Sequence, residues 1–185
     1  MWKRAAIDRA AAVVRGGGIV AYPTEAVFGF GCDPAKEGAV RRLCLLKQRP
    51  LSAGLILLAA DLHQLPGWID PDEHELKALL IETDVPTTWI IRAGPLAAPW
   101  VTGGRNTLAV RLSRHALATE LCRAAGRPLV STSANRRGRP PARTTVALRR
   151  QFGQAVDFVL GGAPGHWNRP SEIRVAATGE RVRAG

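Results

Sequence analysis

A layered α/β domain is the fold class this sequence predicts, and three observations carry the prediction. Helix-forming stretches alternate with short apolar runs from end to end. Runs such as Gly54 to Ala60 are continuously apolar, the pattern of strands covered on both faces. No linker is long enough to divide the chain, so one domain is expected over residues 1–185.

Each element follows from local signals. Ile7 to Val14 is alanine-rich and helical, and Gly16, Gly17 and Gly18 end it. Gly18 to Tyr22 reads as a short buried strand stopped by Pro23, and Pro23 to Asp33 as a turn containing two glycines. Lys36 to Lys47 has Val40, Leu43 and Leu46 at helical steps. Gly54 to Ala60 is a strand. Pro71 to Ile81 is a helix with Pro71 and Asp72 as start signals. Thr87 to Ala93 is a strand, Gly94 to Arg105 a loop, and Thr107 to Leu112 a strand. His115 to Ala125 is a helix closed by Gly126. Pro128 to Thr132 is a strand running into a loop. Thr144 to Phe152 is a helix, Ala155 to Leu160 a strand, and the tail from Ser171 supplies one or two short strands.

Composition narrows the function classes. With 46% hydrophobic residues in 185, the chain can bury a real core. The longest apolar run, Leu55 to Ala60, is too short for a bilayer, and the charged N-terminal segment does not resemble a signal peptide. A soluble cytoplasmic protein without membrane contact is expected. Cys32, Cys44 and Cys122 lack zinc-type spacing, and the four histidines are scattered, so no metal site is expected. The net charge of +11 is one-sided. Residues 1–92 hold 11 basic and 11 acidic side chains, and residues 93–185 hold 15 and 4. Such a field attracts phosphates or nucleic acid, although an arginine-rich codon bias would raise it too.

Three segments carry residues that folding alone does not need. Lys47 and Arg49 stand two apart before Pro50, and an extended chain there would point both cations one way, towards a polyphosphate. A solvated helix end is the plainer alternative. The strand ending in Ser131, Thr132, Ser133 and Asn135 offers hydroxyls and an amide for an anion or a base edge, or for Asx and Ser/Thr turns. Arg111 lies inside an apolar strand and needs a partner, either a substrate anion or an internal carboxylate. Few acids lie near it in sequence: the second half has only Glu120, Asp157, Glu172 and Glu180. No GxxxxGK[ST] or GxGxxG motif occurs, so ATP would bind by another device.

Five blocks in order, Tyr22 to Asp33, Lys47 to Pro50, Leu108 to Arg111, Ser131 to Asn135 and Asn168 to Ile173, resemble the YrdC-like family in its short single-domain bacterial form. The resemblance spans a core of about residues 4–183. It implies a YrdC/RibB-like fold (α/β, or α+β in some schemes), with one mixed, twisted sheet and flanking helices around a basic cavity. It also implies a nucleotidyltransferase that condenses L-threonine, bicarbonate or CO2, and ATP to threonylcarbamoyl-adenylate and diphosphate. That is the first step of tRNA threonylcarbamoyladenosine formation beside the anticodon. Thr24, Arg111, Ser131 and Ser171 are then expected near threonine. Lys47, Arg49, Ser133 and Asn135 are expected at ATP, with Lys47 and Arg49 catalytic. No cofactor is held permanently, Mg²⁺ arrives on the nucleotide, and a downstream tRNA-modifying complex receives the adenylate. Direct tRNA or RNA contact through the basic half is a further expectation, and a non-catalytic RNA-binding module is the alternative reading. The chain departs from the family pattern at Thr83 to Trp89, at Ala53 and at Ala116, departures expected at the rim of the cavity.

Overall fold

The computed structural model describes residues 2–184; the outermost two residues of the expected 1–185 domain lie outside it. Nine strands form one mixed sheet: β1 (Val20–Pro23), β2 (Phe28–Cys32), β3 (Ile56–Ala59), β4 (Thr87–Arg92), β5 (Thr107–Leu112), β6 (Leu129–Ser133), β7 (Phe158–Val159), β8 (Glu172–Val175) and β9 (Arg181–Arg183). Their order is β7-β1-β2-β6-β3-β5-β4-β8-β9. The β1–β7, β3–β5 and β4–β8 pairs are parallel and the others antiparallel. Six helices flank the sheet: α1 (Trp2–Arg15), α2 (Glu37–Lys47), α3 (Glu73–Leu80), α4 (Pro99–Thr102), α5 (Ala116–Ala125) and α6 (Thr145–Phe152).

Local chemistry explains the helix ends. Asp72 caps α3, accepting from the Glu75 N–H at 2.8 Å while Glu75 accepts from the Asp72 N–H at 3.1 Å. The Thr144 hydroxyl oxygen caps α6 by accepting from the Ala147 N–H at 3.0 Å. At the end of α2, Gln48 takes the left-handed conformation (φ 55°). The chain therefore turns between Lys47 and Arg49 and is not extended there, which corrects the expectation that both cations point one way.

The two sheet faces are filled differently. One carries Phe28, Phe30, Leu57, Trp89, Ile91, Val110 and Val130 in the larger core, under α2 and α6. Phe30 meets Phe152 of α6 edge-on, ring centres 4.7 Å apart. On the other face, α1 and α5 pack together over Val20, Tyr22, Leu58 and Leu129. They reach β7, β1 and one end of β6 and β3, at Leu129 and Leu58. Further along the same face, strand register lines up Gly29, Gly31, Ser131, Ser133, Ile56, Ala109 and Arg111. These are mostly small side chains, so the sheet floor there is open.

The structure adds two elements. Phe28 to Cys32, read as part of a turn, is a fully buried strand, and the Gly94–Arg105 loop contains the single helical turn α4 with Pro99 at its start. Both were masked by glycine and proline, which weaken a local strand or helix signal.

Two glycines should respond to alanine with opposite signs. A Cβ at Gly31 would lie 2.8 Å from Tyr22 Cε1 and 2.9 Å from the Val130 carbonyl, whereas none of the described atoms lies within 4 Å at Gly38 in α2. Gly31→Ala is expected to lower stability by about 2 kcal/mol or more through overpacking. Gly38→Ala is expected to raise it by roughly 0.5–1 kcal/mol through helix propensity. Urea midpoints of the two variants check both.

Candidate active site

The open floor is the base of a cavity of about 760 Å³. Gly29, Ile56, Ala109, Arg111, Ser131 and Ser133 form its sheet side, and segments following β1, α2 and α4 and preceding β8 form its walls. Six arginines line it: Arg49, Arg105, Arg111, Arg143, Arg169 and Arg183. Among the described residues no aspartate or glutamate does. A concave surface with that charge balance focuses a positive potential and selects anions.

Hydroxyls gather at one end. Thr24 is 7% exposed, and its hydroxyl donates to the Val27 carbonyl at 2.8 Å, leaving the oxygen's lone pairs free to accept. Ser131 Oγ accepts from the Tyr22 hydroxyl at 2.8 Å. Thr24 Cγ2 and Ser131 Oγ both face Gly29, where a side chain would crowd them. Ser171, 6% exposed, shares a 2.9 Å hydrogen bond with Thr88 and accepts from Arg183 through its carbonyl oxygen at 2.7 Å. Burial, then Arg111 and Arg49, push the Arg183 guanidinium below its ordinary pKa.

Cations and an amide gather at the other end. Arg49 lines the cavity and donates to the Gly54 carbonyl at 2.8 Å and the Ala53 carbonyl at 3.2 Å, which fixes its fork. Lys47 sits behind the wall, 6% exposed. Its ammonium donates to the Ser133 carbonyl, to the Asn135 carbonyl at 2.9 Å and to Asn135 Oδ1 at 3.2 Å. Burial, with Arg49 nearby, pushes its pKa down to about 8. Ser133 donates to Asn135 Oδ1 at 2.6 Å, and the Asn135 amide donates to the Arg139 carbonyl at 2.8 Å. Among the described residues no backbone N–H donates to either side-chain oxygen, as an Asx or Ser/Thr turn would require; the two bond to each other and both line the cavity.

Arg111 has an internal partner. Its guanidinium pairs with Glu25, both side chains being about one-seventh exposed (14% and 13%). Glu25 also accepts from the Ser113 hydroxyl at 3.0 Å and the Arg114 N–H at 2.9 Å. Burial alone would raise the Glu25 carboxyl; Arg111, its own backbone N–H and these donors outweigh that and hold it below its ordinary value. The partner lies in the Tyr22–Asp33 block, 86 residues before Arg111, and not among the four acids of the second half. Nearness in sequence does not find this pair: Glu25 lies on the turn after β1, and that turn reaches Arg111 although β2, β6 and β3 stand between β1 and β5 in the sheet.

Seven of the eight expected site residues thus line one cavity, and Lys47 stands immediately behind it. Arg183 and Tyr22 are additions. Arg183 lies on a three-residue strand, and Tyr22 reads as core until its hydroxyl is seen to reach Ser131. Of the departures from the family pattern, only Ala53 borders this cavity. Thr83 and Trp89, with His115 just before Ala116, instead line a second hollow of about 400 Å³ beyond Glu25, beside Trp167. The expectation that all of them alter the rim is corrected accordingly.

Comparison with known proteins gives this geometry a context. The Sua5_yciO_yrdC family model, described as "Telomere recombination", matches residues 12–185. The chain belongs to the Sua5/YciO/YrdC family. It is 49% identical over 175 residues to a threonylcarbamoyl-AMP synthase of Nitrosococcus oceani, covering 94% of this chain and 95% of that one. A threonylcarbamoyl-AMP synthase of Klebsiella pneumoniae is 48% identical over 183 residues, covering 97% and 96%. The fold superposes on crystalline P. abyssi Sua5 complexed with L-threonine with a TM-score of 0.85 at 29% identity. That match covers 91% of this chain and spans about half (50%) of the P. abyssi protein. E. coli YciO shares the fold, with a TM-score of 0.81 at 24% identity, covering 93% of this chain and 84% of that one.

The Glu25–Arg111 pair should govern acid stability. Because the folded carboxyl titrates below its ordinary 4.5, its contribution is complete above that pH and is lost as pH falls through the lower folded value. Glu25→Gln is expected to cost about 3 kcal/mol at pH 7 by leaving Arg111 unpaired. The gap to the unsubstituted protein should narrow below about pH 4 in denaturant titrations across pH.

Proposed function

We propose that this protein is a threonylcarbamoyl-AMP synthase that makes the adenylate used in tRNA threonylcarbamoyladenosine formation. The observation that carries the reading is the near full-length likeness to threonylcarbamoyl-AMP synthases at 49% identity. The arginine-lined, carboxylate-free cavity supplies chemistry that suits it. Threonine takes the hydroxyl end, against Thr24, Ser131 and Ser171 with Arg111 beside them. The ATP phosphates take the end formed by Arg49, Ser133 and Asn135, with Lys47 behind. The nucleotide brings its own Mg²⁺ on the phosphates.

The reaction balances as two steps. The threonine nitrogen attacks the carbon of CO2 and loses a proton, giving a carbamate. A carbamate oxygen then attacks the α-phosphorus, the bond to the bridging oxygen breaks, and diphosphate leaves with the electron pair. Both partners are anions, so the protein's task is to hold them in line and to offset charge. Arg49 is preorganised for this because two carbonyls fix its fork. No covalent protein nucleophile is needed.

A role in contacting tRNA is compatible with the same enzyme. Arg136, Arg137 and Arg139 stand exposed on the loop after Asn135, where they favour a phosphate backbone. A purely RNA-binding module would leave the Thr24, Ser131 and Ser171 hydroxyls without a purpose.

Diphosphate release is expected only when threonine, bicarbonate and ATP are all present; release independent of threonine or bicarbonate contradicts the proposal. Arg49→Ala should lower kcat/KM by on the order of 10² with little change in thermal midpoint. With Lys47 titrating near pH 8, its charge is present below that pH and lost above it. ATP affinity should accordingly weaken as pH rises through about 8. Calorimetric titration with ATP from pH 6.5 to 9.5 reads this directly.

A further inference from the structure

The Tyr22 ring lies across strand β2. Tyr22 is on β1 and Ser131 on β6, with β2 between them, and Gly31 of β2 is the register partner of Ser131. The phenol can reach over β2 only because residue 31 lacks a side chain: a Cβ there would sit 2.8 Å from Tyr22 Cε1 and 3.2 Å from its hydroxyl oxygen. At the end of that reach the Tyr22 hydroxyl donates to Ser131 Oγ at 2.8 Å. Tyr22 is wholly buried, and the rest of its side chain packs with Val20, Leu58 and Leu160.

We infer that Tyr22 is a positioning residue that aims the Ser131 hydroxyl proton into the cavity, where it meets the carboxylate of the amino-acid substrate. The inference rests on the placement of threonine at Ser131 proposed above. A serine oxygen that accepts one hydrogen bond has its own O–H left to give. Among the described residues Ser131 donates that proton to none, and its side chain lines a cavity otherwise furnished with guanidinium donors. A ligand gathered by such cations is an anion, and a Tyr–Ser–carboxylate relay strengthens each successive bond. Burial pushes the phenol's ionisation far above neutral, so Tyr22 remains a donor throughout the working pH range. Phenylalanine would occupy the same space, so the hydroxyl can be tested apart from the packing.

The test is a double-mutant cycle on threonine-dependent diphosphate release, with threonine titrated by calorimetry in parallel. Tyr22→Phe should raise the KM and the Kd for threonine about 10-fold, because the Ser131 proton loses its aim and with it one hydrogen bond to a charged group. The KM for ATP should stay within about twofold of the unsubstituted value. In a Ser131→Ala background, Tyr22→Phe should add less than about twofold, because the relay is already broken. With L-threoninol, which lacks the carboxylate, Tyr22→Phe should change binding by less than about twofold. An unchanged threonine Kd in Tyr22→Phe overturns the inference. So does an equal loss in the Ser131→Ala background, or an effect that falls on ATP instead of threonine. Threonine binding without turnover in the unsubstituted protein would count against the synthase activity alone, since the calorimetric arm still reads the Tyr22 effect.

Discussion

The lack of side-chain bulk along one stretch of one sheet face is the constraint from which the rest of the structure follows. Gly29 and Gly31 of β2 stand beside Ser133 and Ser131 of β6 in register, and Ala109 of β5 follows across Ile56 of β3. Tight packing is the norm in a protein interior, and a floor of small residues leaves a hollow unless a helix descends onto it. Helices α1 and α5 cover β1 and the Leu129 and Leu58 ends of β6 and β3, so the hollow beyond them stays open. The sheet is secured instead from its opposite face, where Phe28, Phe30, Leu57 and Val110 pack under α2 and α6. One face supplies the stability and the other supplies the site.

Charge then decides what the hollow can accept. Of the arginines around it, Arg111 is neutralised by Glu25, while Arg49 and Arg183 donate to carbonyl oxygens that hold them in place without cancelling their charge. Lys47 ties the end of α2 to the loop from Ser133 to Asn135. The cations are therefore fixed before any ligand arrives, and fixed charges in a partly desolvated cavity stabilise developing negative charge more effectively than mobile ones. The polar side chains hold one another as well: Tyr22 bonds Ser131, Thr88 bonds Ser171, and Ser133 bonds Asn135. Each leaves part of its hydrogen-bonding capacity for the cavity.

The sequence made the alternation of helices and strands legible because propensity and capping act over short distances. Asp72, Thr144 and Gly126 mark helix ends on local chemistry alone. Strand β2 escaped, since Gly29 and Gly31 are poor strand formers kept for reasons of space. The site residues that stood out were polar side chains at strand ends, such as Ser131 and Asn135, and a charge in an apolar run, Arg111. Pairing was not legible. Glu25 and Arg111 meet only after β5 takes its place in the sheet, and Arg183 reaches the cavity only because β9 closes its edge. The turn at Gln48 likewise separates Lys47 from Arg49 in a way that no two-residue spacing records.

In the proposed reaction one cavity holds both substrates, with threonine on the hydroxyls and phosphates on Arg49. A crystal structure with L-threonine and a non-reactive ATP analogue tests it most directly. Threonine is expected within hydrogen-bonding distance of Thr24 and Ser131, and the α-phosphate facing it from the Arg49 end. Ligand density confined to the hollow beside Trp167, or phosphates bound away from Arg49, would contradict it.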